Sequence, residues 1–190
     1  RWQNYVDIWT QIPLLTFVKN TVKITVVVTL LQLFTSSFAA YAFAKMQFKG
    51  KNVLFLGYIA TIAVPWQAYM VPQFMMMSSW HLNNTHLAIM CLQAFSAFGV
   101  FLMKQFYEGV PTELCEAARI DGLSEYGIWW HIMLPLSLPA LSTLTIFTFV
   151  NTWNDFLGPL IYLTKTELKT IQIGLRMFIT QYSAEYGLIM

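Results

Sequence analysis

The side chains of this chain that are capable of chemistry fall into two groups. One is acidic. Glu113, Glu116, Asp121 and Glu125 are four of the nine carboxylates, and all lie in the segment Gly109–Pro139, GVPTELCEAARIDGLSEYGIWWHIMLPLSLP. The other consists of polar residues set into apolar sequence: Gln67 between Pro65 and Pro72, and Asn151, Asn154 and Asp155 within NTWNDF. An acid at membrane depth costs at least ~2.5 kcal/mol at the bilayer centre, which makes Asp155 a functional candidate by position. Two readings of Asn151, Asn154 and Asp155 are open: they line a path for a polar solute, or they pack and cap helices. Gln67 has the same pair of readings. Neither group forms a catalytic constellation. The chain has no G-x-x-x-x-G-K-[ST], so it does not bind ATP through a P-loop, and it has no H-E-x-x-H or G-x-S-x-G. His81 and His86 lack a nearby cysteine or carboxylate and make no metal site. Cys91 and Cys115 make no disulfide framework. The net charge of +2, without a basic stripe, argues against nucleic acid as a partner.

The elements that hold these residues are apolar. Hydrophobic residues make up 57% of the chain and charged residues 11%, where a soluble domain carries ~25% charged; mean hydropathy is +0.54. The expectation is an all-α membrane protein, a polytopic bundle of transmembrane helices. Spans are expected at 20–44, 53–77, 85–103 and 136–163, each long enough for a ~30 Å hydrocarbon core. Pro65 and Pro72 predict a kinked or broken second span, and Gly158-Pro159 is a possible end to the fourth. Trp2, Tyr5, Trp9 and Phe17 suit a helix lying at the membrane surface. Residues 164–185 read as an external loop with a small amphipathic helix, carrying Leu175, Phe178, Ile179 and Tyr182 on one face. With Arg1 at the start and the apolar 186–190 as the opening of a further span, the chain is expected to be a fragment of one longer membrane domain.

The loop at 104–135 is the one long segment that is not apolar, and it reads as two short helices outside the lipid. Pro111 suits a first helical turn. Gly122 supplies the left-handed residue that stops the first helix, and Ser124 caps a second, expected to end before Pro135. Asp121 sits at the negative end of the first helix, where a carboxylate is disfavoured by roughly 0.3–1 kcal/mol. Either it caps the second helix or bonds across the turn, or the helix presents itself to a partner. In the second case Ala117-Ala118 would let it lie close in a groove, with Glu116, Arg119 and Asp121 at the rim.

Glu116-Ala117-Ala118, then Asp121-Gly122, then Pro135 and Pro139 resemble the EAA loop of ABC-importer permeases. Arg119-Ile120-Asp121-Gly122, Phe101-Leu102-Met103-Lys104-Gln105-Phe106 and Trp153-Asn154-Asp155-Phe156-Leu157-Gly158-Pro159-Leu160 resemble the maltose-type, carbohydrate-uptake branch. The resemblance covers essentially the whole chain. Departures are Cys115 where an acid is usual, Leu123 where alanine is usual, and His131 where Lys or Arg is common. The resemblance implies a type I importer permease in a bacterial inner membrane, with six spans and the loop on the cytoplasmic side. It implies that Glu116, Ala117, Ala118, Arg119, Asp121, Gly122, Leu123 and Tyr126 couple to a partner ATPase; Tyr126, Trp129 and Trp130 either anchor the loop to the span ends or are simply buried at the interface. Implied partners are a cytoplasmic ATPase dimer holding ATP–Mg, a second permease subunit, an extracytoplasmic solute-binding protein and a sugar. The chain itself is expected to hold no cofactor and to be no enzyme. Gln67, Asn151, Asn154 and Asp155 are then candidates for the translocation path. A permease for a non-sugar solute, and a secondary transporter needing no ATPase, are the alternative readings.

Overall fold

The structure is a computed structural model describing residues 13–181, with side chains to Met177. The surface helix expected from Trp2, Tyr5 and Trp9, the faces of Phe178, Ile179 and Tyr182, and the further span at 186–190 lie outside what is described. The described residues form helices and no strand. In chain order they are α1 Leu14–Lys45, α2 Lys51–Ala60, α3 Trp66–Ser79, α4 His86–Gln93, α5 Ala97–Glu108, α6 Thr112–Ile120, α7 Glu125–Ile128, α8 Leu134–Leu136, α9 Leu138–Trp153, α10 Leu157–Tyr162 and α11 Ile171–Gln181. Leu14–Lys45 has 32 residues and His86–Glu108 has 23, both long and apolar enough to cross a membrane. Two further crossings arise if each bent pair, α2 with α3 and α7–α8 with α9, counts as one. Large apolar side chains such as Val53, Leu56 and Leu30 are well exposed, as lipid-facing surfaces require.

The chain falls into two compact units. One comprises residues 29–70 and 93–148. Tyr41, Met103, Tyr107, Trp129, Met133 and Leu144 are buried in its core. The polar residues of α1 have a clear task there. The chain breaks at 94–96, leaving α4's last carbonyls without helical donors. Gln32 Nε2 donates to the Gln93 carbonyl at 2.7 Å and Thr35 Oγ1 to the Ala94 carbonyl at 2.8 Å. Thr148 Oγ1 donates to Gln32 Oε1 at 2.9 Å and fixes the amide. Ser96 then caps α5, accepting from the Gly99 N–H at 3.0 Å. A Cβ on Gly99 would lie 2.5 Å from Ser36 Oγ, so the helices meet closely at this point.

The second unit comprises residues 13–28, 71–92 and 149–181. Its loops are tied by side chains. Asn84, at φ 59°, accepts from the backbone of Thr164 at 2.7 Å and Lys165 at 3.2 Å, and from the Thr164 hydroxyl. Asn20 Nδ2 donates to the carbonyls of Glu167 and Lys169, and His86 Nε2 lies 2.9 Å from the Leu168 carbonyl.

The helix breaks differ from expectation in three places. The second apolar segment bends by 102°. Val64 is extended (φ −86°, ψ 113°), the conformation a following proline favours, and the break falls at Pro65. Pro72 makes none, lying inside α3. The helix after Ser124 does not stop before Pro135; it continues to Leu136. A π turn at Trp129–Met133, in which the Leu134 N–H bonds the Trp129 carbonyl, opens the helix before the proline ring. Gly158-Pro159 does not end the fourth segment either. Helix α9 stops earlier, at Trp153, and Gly158-Pro159 lies in the first turn of α10, where a missing N–H costs nothing.

Candidate functional site

The segment α6–α7 is built as its residue types require. Pro111 is the N-cap residue of α6 at φ −56°. Gly122 ends the helix at φ +86°. Backbone bonds from Gly122 N to the Arg119 carbonyl and from Leu123 N to the Ala118 carbonyl, both 3.0 Å, close the turn. Ser124 Oγ accepts from the Gly127 N–H at 3.2 Å and caps α7.

Helix α6 has two faces. Cys115 and Ala118 are buried, and the Cys115 sulfur lies 3.8 Å from that of Met133. Burial raises the Cys115 thiol pKa. The outer face exposes Leu114, Ala117 and Ile120, with Glu113, Glu116 and Asp121 beside them; Ile120 is 87% exposed. The two alanines therefore do not share a groove. Successive helical residues are ~100° apart at 3.6 per turn, so Ala118 packs inward and Ala117 outward.

Arg119 is partly exposed and engaged within the loop. It turns to Glu125 with two hydrogen bonds, Nε to Oε1 at 2.6 Å and Nη2 to Oε2 at 3.2 Å. These bonds hold the Glu125 carboxyl below the usual range and raise Arg119, overcoming partial desolvation. Tyr41 of α1 donates its hydroxyl to the same carboxylate. Asp121 is exposed, and among the described residues its carboxylate has no hydrogen-bond partner. Trp129 is buried edge-on to Phe34 and Phe38 of α1, at 5.5 and 5.2 Å between ring centroids. Tyr126 and Trp130 stack on each other at 6.5 Å and remain half exposed.

The four polar candidates are placed differently. Gln67 is exposed in the first turn of α3, and Asn151 is exposed near the end of α9. Asn154 Nδ2 bonds the Val150 carbonyl at 2.8 Å, and its Oδ1 accepts from Gln172 Nε2 at 3.2 Å. Asp155 Oδ1 accepts from the Gly158 N–H at 3.2 Å, inside the first turn of α10. The described residues hold no cluster of three or more His, Cys, Asp or Glu able to bind a metal.

The profile of a family described as the binding-protein-dependent transport system inner membrane component matches residues 6–190. The chain belongs to this family. It is a membrane transport permease chain with the carbohydrate-uptake ABC permeases as relatives. It is 38% identical over 188 residues to an arabinooligosaccharides transport system permease protein of Halalkalibacterium halodurans, covering 98% of this chain and 67% of that protein. It is 35% identical over 189 residues to a lactose transport system permease protein of Rhizobium radiobacter, covering 100% of this chain and 69% of that one. Among solved structures it resembles a chain of a bacterial ABC transporter involved in the import of the acidic polysaccharide alginate. That match has a TM-score of 0.87 and 28% identity, and covers 94% of this permease chain and 63% of the other. The permease chain thus spans about two thirds of the length of these relatives.

Two residues at the site escaped the sequence reading, Tyr41 and Lys45. Lys45 is 7% exposed and donates to the Val110 carbonyl, with Thr112 Oγ1 3.5 Å away. A lysine at a helix end normally snorkels.

Proposed function

We propose that this chain is a permease subunit of an ATP-driven ABC importer for sugars, coupled to a separate cytoplasmic ATPase dimer through α6. The observation that carries the coupling is the outer face of α6. Leu114, Ala117 and Ile120 follow i, i+3, i+6 spacing and form an apolar ridge on an otherwise polar loop. An exposed apolar ridge with a charged margin is the form of a protein contact. Glu113, Glu116 and Asp121 supply that margin and match a basic rim on the partner. In this reading ATP–Mg binds the ATPase, a second permease subunit completes the path, and an extracytoplasmic binding protein delivers the solute. The loop then lies on the cytoplasmic side of the inner membrane. Nucleotide binding must favour one permease state over the other, and α6 is where the differential contact is made.

The names of the relatives support a sugar as solute. Gln67 and Asn151, whose exposed amides have no hydrogen-bond partner among the described residues, are the better candidates for touching it. Asn154 and Asp155 are engaged in local bonds. The test is uptake of labelled arabinooligosaccharide and lactose by cells carrying the complete transporter. Glu116→Lys and Gly122→Pro abolish uptake of the transported sugar while the subunit reaches the membrane at normal levels. Normal uptake by either variant contradicts the coupling role of α6, and uptake of neither sugar by the unaltered transporter argues against this solute class.

A further inference from the structure

Tyr41 and Lys45 are four residues apart on α1, one turn, and so lie on one face of it. Both are buried, at 1% and 7% exposure. Each reaches a different end of the α6 segment. The Lys45 ammonium bonds the Val110 carbonyl just before α6, with Thr112 at its first residue within 3.5 Å. The Tyr41 hydroxyl bonds Glu125 just after it, and Glu125 in turn holds Arg119 in the last turn. Between these ends Cys115 and Ala118 pack into the same core. A buried ammonium left without an acceptor is costly, which keeps Lys45 on its carbonyl. A close-packed inner face transmits displacement rather than absorbing it.

We infer that Tyr41 and Lys45 are positioning residues that clamp both ends of α6 to α1, so that α6 and the C-terminal half of α1 move as one rigid lever. The inference rests on the coupling role proposed for α6 and adds the element that receives its motion. Helix α1, with 32 residues, is about 48 Å long at 1.5 Å per residue, enough to carry that motion through the membrane.

The test is the distance between spin labels at Ser124→Cys, in the turn that closes α6, and Leu30→Cys on α1, both exposed, in a Cys91→Ala background. The complete transporter in lipid nanodiscs is measured without nucleotide and with ATP plus vanadate. With the clamp intact, a single narrow distance is expected, unchanged by nucleotide. Tyr41→Phe and Lys45→Met each broaden it, and the pair of substitutions loses the narrow distance altogether. Tyr41→Phe removes one hydroxyl and keeps the ring, so a purely structural role lowers yield or the unfolding midpoint without changing the width. A distance that shifts with nucleotide in the unaltered clamp, or that stays narrow in the double variant, overturns the inference. Cross-linking from Ala117→Cys to the ATPase is scored in parallel. Its absence contradicts the coupling reading, while the nucleotide-free width still decides the clamp.

Discussion

Gly122 and Gly57 respond oppositely to the same substitution. Neither has a heavy atom within 4 Å of the place a Cβ would occupy. Gly122 sits at φ +86°, a conformation that costs an L residue ~1–2 kcal/mol. Gly57 lies within α2, where alanine is favoured by ~1 kcal/mol. In thermal unfolding of the purified protein, Gly122→Ala lowers the midpoint and Gly57→Ala raises it. Equal effects would contradict the assignment of Gly122 as the α6 stop. Gly122 and Ser124 were legible in the sequence because turn and cap chemistry is local. The division of labour between Ala117 and Ala118 follows from helix geometry, yet the sequence reading placed both in one groove. The pairing of Arg119 with Glu125 was not legible, because it depends on where Glu125 and Tyr41 arrive in three dimensions.

At the scale of elements, the α6–α7 turn depends on a charged pair whose titration has a definite sign. The folded-state pKa of Glu125 is lowered, chiefly by the Arg119 hydrogen bond. Its contribution to stability is therefore present above the unfolded carboxylate value and is lost as pH falls through the lowered one. Hydrogen exchange of residues 112–128, corrected for intrinsic pH dependence, stays constant from about pH 8 to about pH 5 and rises only in more acid solution. A loss of protection already near neutrality would contradict the pair. The Asn84 side chain ties the loop at 164–165. Asn84→Ala removes all three acceptor contacts, and exchange at the Thr164 and Lys165 amides then rises by about fivefold or more, taking ~1 kcal/mol or more for the lost bonds. Unchanged exchange would show that the loop is held by other means. Apolar length revealed the main helical segments in the sequence, but not which proline would break one. Pro65 and Pro72 look equivalent in sequence, yet only Val64 becomes extended. The tie between Asn84 and Thr164 spans 80 residues and no local pattern announces it.

At the scale of the whole molecule, the chain is a helical permease covering about two thirds of its relatives' length, and its proposed role depends on other polypeptides. The sequence carries no P-loop, and the outer face of α6 is the surface proposed to receive motion from a partner ATPase. The polar loop stood out in the sequence because charge is scarce elsewhere. Its attachment to α1 did not, since Tyr41 and Lys45 are 84 and 65 residues from the groups they hold. The most direct measurement is a cross-link from Ala117→Cys, an exposed position at the centre of the α6 ridge, in transporter complexes purified from the native membrane. The account predicts a specific adduct with an ATPase subunit, diminished when Glu116 is changed to Lys. An intact complex that yields no such adduct would contradict it.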